Sequence, residues 1–258
     1  DDPCRVVLSA TGLVARIPGA EPVARTGRRQ PHDALTSQVS TTARGRIGAV
    51  TDTGRLVLLD VVSTTEVPRT EGAPGLAGAT QVRQLVDIEP EEKVVGLVPV
   101  GSADNPPIVL ATAEGVIKRV KPGDEPRNAE SWEVISLSEG DRVVFAGTAA
   151  DTDFLALVTS DAQLLRFQAA KVRPQGRGAG GMAGISLREG ARVIAGAAVP
   201  EDLLAEAVVV TVAGSEGSLP GTGGGSVKVT PLDRYPAKGR ATGGVRSHRF
   251  LRGEDELV

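Results

Sequence analysis

The chain has 258 residues, a formal net charge of −3, 32 glycines and one cysteine, Cys4. A single cysteine excludes an intramolecular disulfide framework, and the lack of paired cysteines and clustered histidines excludes a structural zinc site. The apolar runs are far shorter than the roughly 18 residues that cross a bilayer, so we expect a cytoplasmic protein without a membrane partner. Because the only methionine is Met182, we expect a piece excised from a longer polypeptide.

The charge is unevenly distributed along the chain. Residues 84–160 carry 6 basic and 14 acidic side chains, whereas residues 1–83 carry 10 and 8, and residues 161–258 carry 13 and 10. An acidic sector therefore separates two mildly basic ones. An anion senses charge within a Debye length of about 8 Å, so local basic clusters leave a polyanionic partner open despite the negative total.

One pattern, two apolar runs around a turn of small and polar residues, recurs five times along the chain. The copies are residues 6–17, 47–59, 108–120, 155–167 and 208–230, the last interrupted by residues 214–224. Their turns contain Gly12, Gly54, Gly115, Ala162 and Gly225. Aliphatic and β-branched runs around such turns predict five β-hairpins.

Further apolar runs between these hairpins predict a second strand pair in each repeat. The predicted pairs are residues 82–86 with 94–98, 134–137 with 143–145, and 185–187 with 193–195. Four strands per repeat predict an all-β protein of radially repeated blades; a row of separate small β-barrels is the alternative. Five repeats are visible, and a partial sixth blade or closure by the N-terminal strand remains open. Only residues 201–207 look helical.

Four stretches of the chain form recognisable motifs: IEPEEKV (88–94), TAEGVIKRV (112–120), VRPQGRGAGGMAGISLREG (172–190) and VKVTPLDRY (227–235). They resemble the C-terminal domain of the A subunit of bacterial type IIA topoisomerases, the family of gyrase and topoisomerase IV. The resemblance extends over nearly the whole chain. It implies that residues 1–258 form a single DNA-binding β-pinwheel, a disc of four-stranded blades in which neighbours exchange a strand and a basic rim bends duplex DNA.

The resemblance also bears on which enzyme of the family the chain is similar to. Gyrase carries the box Q-[KR]-R-G-G-[KR]-G after the first hairpin, whereas the matching loop here reads RTGRRQPHD (25–33). That loop lacks the paired glycines and the trailing basic residue. We therefore predict a topoisomerase IV type of domain, which presents DNA to the cleavage core for decatenation and relaxation. Gyrase-type wrapping for negative supercoiling is the alternative, and a bladed protein-interaction scaffold is a second one.

Lysine and arginine bind the phosphates of DNA largely by releasing counterions, so basic residues on the hairpins and loops are the candidate contacts. For Lys118, Arg119, Arg166 and Lys228 a solvated strand face is an equal alternative. The few aromatic residues favour duplex over single-stranded DNA. The predicted DNA-binding residues are Arg25, Arg28, Arg29, Arg44, Arg46, Lys118, Arg119, Lys121, Arg166, Lys171, Arg173, Arg177, Lys228, Lys238, Arg240, Arg246 and Arg249.

The sequence predicts no catalytic residue, metal ligand or cofactor site in this chain. His32 and His248 are expected in loops or as donors to phosphate, and Tyr235 matches a rim position. The resemblance implies that the full enzyme uses ATP and magnesium through other domains. It also implies two partners, the ATPase B subunit of the enzyme and the remainder of its A subunit. We expect the isolated domain to be monomeric.

Overall fold

A computed structural model of the protein describes residues 1–24, 26–27, 34–215 and 225–258. Every regular element in these ranges is a β-strand or a one-turn 3-10 helix, which confirms the predicted all-β class. In the same ranges no helix is long and apolar enough to cross a membrane. Contacts divide the chain into two compact units, Asp1–Ile108, Val120–Leu137 and Gly176–Ala179 in the first, and Val109–Arg119, Ser138–Gln175 and Gly180–Val258 in the second.

The first unit contains two sheets, each built on an antiparallel hairpin. In sheet 1, hairpin 1 (β1–β2) is extended by β3 beside β1 and by β6 and β7 beside β2. In sheet 2, hairpin 2 (β4–β5) is extended by β8 beside β4 and by β11 beside β5. The strands are β1 (Pro3–Ser9), β2 (Leu13–Pro18), β3 (Leu35–Thr42), β4 (Arg46–Thr51), β5 (Arg55–Asp60), β6 (Thr65–Glu66), β7 (Thr80–Gln81), β8 (Val94–Pro99) and β11 (Ser131–Glu133).

The second unit contains three sheets. Sheet 3 has hairpin 3 (β9–β10) with β12, β15 and β16, and sheet 4 has hairpin 4 (β13–β14) with β17 and β20. Sheet 5 has hairpin 5 (β18–β19) with β21. The strands are β9 (Ile108–Thr112), β10 (Val116–Val120), β12 (Val143–Thr148), β13 (Phe154–Thr159), β14 (Gln163–Gln168), β15 (Pro174–Gln175), β16 (Met182–Ala183), β17 (Val193–Val199), β18 (Val208–Gly214), β19 (Val227–Pro231), β20 (Val245–Arg246) and β21 (Glu256–Leu257).

Sheets 1 to 4 share one order of strands. In each of these sheets, the first strand of the hairpin pairs with a strand that follows the same hairpin in the chain. The second strand of the hairpin pairs with one or two short strands that come later, after the next hairpin. The residue after the last of these short strands donates its N–H to the carbonyl of the hairpin turn. These bonds are Val82 to Gly12, Val134 to Gly54, Gly184 to Gly115 and Ser247 to Ala162, at 2.8–2.9 Å. The expected strand exchange is thus confirmed in sheets 1 to 4.

The second strand pairs were predicted only in part. Strands β8, β12 and β17 form, but they pair with the first strand of a hairpin. The other predicted members of these pairs are not strands: residues 82–86, 134–137 and 185–187. Each begins just after a short strand has ended, where the chain hydrogen-bonds to the carbonyl of a hairpin turn. Their apolar side chains, such as Val82, Ile135 and Ile185, are buried instead. In the segment that looked helical only a 3-10 turn, Glu201–Leu203, forms.

The turns of hairpins 1 to 4 each contain a residue with left-handed backbone, namely Gly12, Gly54, Gly115 or Ala162. Glycine adopts this conformation without strain. Gly115 has φ +82, and a Cβ there would lie 2.9 Å from the main-chain oxygen of Ile185. Tight turns of this kind let the apolar runs on both sides pair and bury their side chains. Separate apolar clusters form around hairpins 1 and 2 in the first unit and around hairpins 3 to 5 in the second.

Candidate nucleic-acid interface

The structure separates the predicted DNA-binding residues by burial. Arg25, Arg28 and Arg29 lie outside the described residues. Three residues are buried, namely Lys118, Arg119 and Arg166. Three are half-buried, namely Arg177, Lys238 and Arg240. The exposed residues are Arg44, Arg46, Lys121, Lys171, Arg173, Lys228, Arg246 and Arg249.

Arg119 is an interior side chain of the second unit, with 1% of its surface exposed. Its Nη1 donates to the carbonyls of Ala169 and Val172, and its Nη2 donates to that of Ala149, each at 3.1 Å. Nη1 also lies 2.7 Å from Oδ1 of Asp151, an exposed residue. A guanidinium enclosed in this way has no surface to offer a phosphate. The burial of Arg119 corrects both the expected contact and its alternative, a solvated strand face.

The same correction applies to Arg166 and Lys118. Arg166 donates from Nε to the carbonyl of Tyr235 at 2.9 Å and stacks over the ring of Phe154. Burial lowers the pKa of Arg166, although Asp233 opposes this effect. Lys118 is fully buried. These two cations therefore lie within the fold.

Arginine occupies the fourth position after the turn residue in three hairpins. In hairpin 1 this residue is Arg16, which donates to the carbonyls of Val62 and Thr64. Arg119 and Arg166 are its counterparts in hairpins 3 and 4. Each binds carbonyls in or just after the 3-10 turn that follows the next hairpin, and these turns are Val61–Ser63, Ala169–Lys171 and Leu232–Arg234. The spacing from the turn residue could have revealed this structural role in the sequence.

The three half-buried cations hold their own glycine-rich loops. The main-chain N–H of Arg177 donates to Oδ2 of Asp124 at 2.8 Å, and its Nη1 donates to the Asp124 carbonyl at 3.0 Å. Lys238 donates to the carbonyl of Gly244 at 2.9 Å, and Arg240 donates to that of Ala183. Carbonyl partners leave the charge of Lys238 and Arg240 uncompensated. Asp124, which anchors the Arg177 loop, is a residue that the sequence did not single out.

The exposed cations differ in how far their charge is already balanced. Arg46 pairs with Asp60 and Glu130, and hydrogen bonding to Glu130 raises the pKa of Arg46. Lys228 donates to the carbonyl of Ser247 at 2.8 Å. The side chains of the remaining six have no carboxylate partner among the described residues. These six are Arg44 and Lys121 in the first unit, and Lys171, Arg173, Arg246 and Arg249 in the second.

The four free cations of the second unit lie in or beside exchanged strands. Lys171 ends the 3-10 turn before β15 and Arg173 immediately precedes β15, while Arg246 lies in β20 and Arg249 follows it. Lys238 and Arg240 belong to the loop before β20. We call these six residues the basic segments. Their side chains have no carboxylate partner among the described residues, which makes them candidates for binding an anion.

Two acidic residues of the middle sector are structural. Glu92 is 4% exposed, and it accepts hydrogen bonds from Thr53, from the N–H of Glu89 at 2.8 Å and from Arg55 at 2.7 Å. Burial would raise the pKa of Glu92, but these bonds outweigh it and hold the pKa below its ordinary value. Asp141 accepts the N–H of Glu114, in the turn of hairpin 3, and the N–H of the next residue, Arg142. Glu92 and Asp141 thus stabilise turns.

His248 lies in a loop, as predicted, but neither His248 nor Tyr235 is exposed. His248 is 4% exposed, and its ring nitrogens lie 2.8 Å from the hydroxyls of Thr211 and Ser226. Tyr235 is 5% exposed in the apolar cluster of hairpins 4 and 5. His32 lies outside the described residues. Interior positions exclude His248 and Tyr235 from direct contact with a phosphate.

Part of the chain matches a protein-family model. Residues 153–200 and 221–258 match the family described as "DNA gyrase C-terminal domain, beta-propeller". The gyrase A protein of Mycolicibacterium smegmatis is 30% identical over 212 residues, which are 81% of this chain and 23% of that protein. The gyrase A protein of Deinococcus deserti is 30% identical over 200 residues, 76% of this chain and 23% of its own length. The chain thus spans about a quarter of these relatives.

Three solved structures share the fold. The C-terminal domain of a DNA topoisomerase IV has a TM-score of 0.71 and 18% identity, over 99% of this chain and 76% of that one. A DNA gyrase A C-terminal domain has a TM-score of 0.61 and 15% identity, over 100% and 81%. The Escherichia coli ParC C-terminal domain has a TM-score of 0.58 and 16% identity, over 100% and 98%.

Proposed function

Because this chain belongs to the family of C-terminal domains of bacterial type IIA topoisomerase A subunits, we propose that it binds and bends duplex DNA without taking part in bond cleavage. The observation that carries the proposal is the set of uncompensated cations in the basic segments. Cations of this kind neutralise backbone phosphates and release condensed counterions, which needs no base-specific contact. The chain has one Trp, one Tyr and four Phe, too few aromatic side chains to favour stacking on unpaired bases.

Several separate contacts suit a protein that bends DNA. Bending 20–30 base pairs by 40–90° costs on the order of 1–6 kcal/mol, which contacts at several points along the duplex must offset. Lys171 and Arg173 follow hairpin 4, whereas Arg246 and Arg249 follow hairpin 5. Cations repeated after successive hairpins support contacts at more than one point on the duplex.

A salt titration with matched charge reversals tests the DNA proposal. Duplex affinity should fall steeply with salt, and Arg173→Glu and Arg246→Glu should each weaken binding and reduce the slope of log K against log salt by about 0.9 per lost phosphate contact. Arg192→Glu is the control, because Arg192 is exposed but already paired with Glu256 at 3.4 Å. Equal effects of all three reversals, or no duplex binding at low salt, would refute the proposal.

Within the family we propose the topoisomerase IV type of activity, decatenation and relaxation with DNA presented to the cleavage core. The loop RTGRRQPHD (25–33), which lacks the gyrase box, supports this choice. In the longer protein we expect ATP and magnesium to act through other domains and the ATPase B subunit. We expect the isolated domain to be monomeric.

Gyrase-type wrapping is the second candidate, because the relatives named above are gyrase A proteins. Closing nicked plasmid with ligase in the presence of the domain distinguishes the two types. Little change in linking number is expected for bending alone. A large positive shift would establish chiral wrapping and overturn the topoisomerase IV choice.

A further inference from the structure

Among the described residues, sheet 5 differs from the other four sheets in having no short strand beside the second strand of its hairpin. In sheets 1 to 4, the strands β2, β5, β10 and β14 each pair with at least one such strand. In sheet 5 the order is β19-β18-β21, so β19 is an edge strand among the described residues. An edge strand presents unpaired main-chain groups that can pair with another chain.

Burial around the hairpin turns shows what this edge lacks. The second residue after the turn is Val14, Leu56, Ile117 or Leu164 in hairpins 1 to 4, and each is at most 1% exposed. Its counterpart in hairpin 5, Val227, is 62% exposed. The difference indicates that the neighbour which covers this position in four hairpins has no counterpart at hairpin 5 in the part of the chain that the structure describes.

An exposed apolar face adjoins the open edge. Val212 pairs with Val227, Val210 with Val229, and Val208 with Pro231. Side chains of directly paired residues lie on the same face of a sheet. All five valines of these pairs are at least 37% exposed. The edge and the face are therefore available together.

The register of hairpin 5 shows which main-chain groups point outward. The N–H of Ala213 donates to Ser226 at 2.9 Å, and that of Leu232 donates to Ala207 at 2.8 Å. Bonding positions alternate along an antiparallel pair, so the N–H and C=O groups of Val227 and Val229 face the open edge. Pro231, at the next outward position, has no N–H to leave unpaired.

We propose that the outer edge of β19 binds a short extended segment of a partner polypeptide by strand addition. The segment supplies two extended residues that pair beside Val227, then an N–H for the carbonyl of Gly225, then an aliphatic side chain that covers Val227. Within this chain, Met182-Ala183-Gly184-Ile185 has these features and occupies the equivalent place in sheet 3. An apolar face beside free main-chain groups suits a peptide.

The test uses a fluorescein-labelled peptide, Gly-Gly-Met-Ala-Gly-Ile-Ser-Leu-Arg, which copies residues 180–188. We expect saturable binding to the chain, measured by fluorescence anisotropy, and slower hydrogen exchange of the Val227 and Val229 amides. A peptide with sarcosine at the position equivalent to Gly184 lacks the N–H for the Gly225 carbonyl and should bind at least about tenfold more weakly. This change cannot unfold the protein.

Two protein variants check that the edge is the binding site. Val227→Pro removes the outward N–H and should abolish binding, whereas Val227→Thr keeps that N–H and should retain it. Absence of saturable binding, or equal binding of the sarcosine peptide, overturns the proposal. Val227 and Val229 amides that are already protected without peptide also overturn the proposal, because the edge is then filled by the protein's own polypeptide or by a second copy. A second copy is identified if protection rises with protein concentration in step with dimerisation, measured by sedimentation velocity.

Discussion

Replacing Arg119 with methionine removes a buried guanidinium and keeps a long side chain. Three main-chain carbonyls, those of Ala149, Ala169 and Val172, lose their Arg119 donor. Each such bond contributes about 1–1.5 kcal/mol net. Asp151 adds little, because its side chain is 75% exposed and is hydrated again when the arginine is gone. We expect the free energy of unfolding of the second unit to fall by about 3–4.5 kcal/mol.

Urea denaturation followed by circular dichroism measures the stability, and a salt titration of duplex binding at low temperature measures the DNA contacts. The Arg119→Met variant should keep the wild-type slope of log K against log salt, because Lys171 and Arg173 are still present. Arg173→Met is the matched control, since Arg173 is exposed. This control should keep its stability within about 0.5 kcal/mol and lose about 0.9 from the slope.

The opposite pair of results would refute the structural role of Arg119. If Arg119→Met leaves the unfolding free energy unchanged and lowers the salt slope, Arg119 contacts a phosphate. The carbonyl bonds then contribute nothing measurable to stability. A loss of stability with an unchanged slope supports an interior arginine.

Two further substitutions test the turns. Gly115→Ala should lower the free energy of unfolding by about 2–4 kcal/mol, because a left-handed alanine is strained and its Cβ meets the Ile185 oxygen. Gly140→Ala is the control: Gly140 has φ +80 but no atom within 4 Å of the added Cβ, so the loss should be only about 1 kcal/mol. Equal losses for both variants in urea denaturation would contradict the clash. Glu92→Gln should lower stability at pH 7 by about 1–3 kcal/mol. The pKa of Glu92 is depressed in the folded state, so the contribution of Glu92 to stability is present above its unfolded pKa and is lost as the pH falls through its folded pKa. The Glu92→Gln variant should therefore lose less stability than wild type between pH 6 and pH 3. Identical profiles of stability against pH would contradict this.

The five hairpins were predictable because their turns carry a local sequence pattern. A glycine, or Ala162 with φ 60, lies between two apolar runs in each copy. The strands β8, β12 and β17 were also predictable as strands, because each contains a run of apolar residues of its own. Their partners were not, since the pairing of a third strand depends on which hairpin strand is left open. Sequence patterns near a turn do not specify that choice.

The burial of the basic strand residues was not predictable from alternation along a strand. Lys118 and Arg119 are consecutive, and alternation places one of two consecutive side chains on each face. Both are buried because hairpin 3 is covered on both of its faces. Arg119 is stabilised there by carbonyls about 30 to 53 residues away in sequence. Only comparison of equivalent positions in the repeats, Arg16 and Arg166, indicates such a role.

The buried arginines also position the exposed cations on which the DNA proposal depends. Arg119 binds the carbonyls of Ala169 and Val172, which lie two residues before and one residue after Lys171. Arg173 follows at once and stays exposed. Contacts from the interior thus fix the segment that carries both free cations, which limits the entropy that they lose on binding a phosphate. The proposal that these cations bind DNA is therefore compatible with a net charge of −3, because a duplex senses the local arrangement of charge.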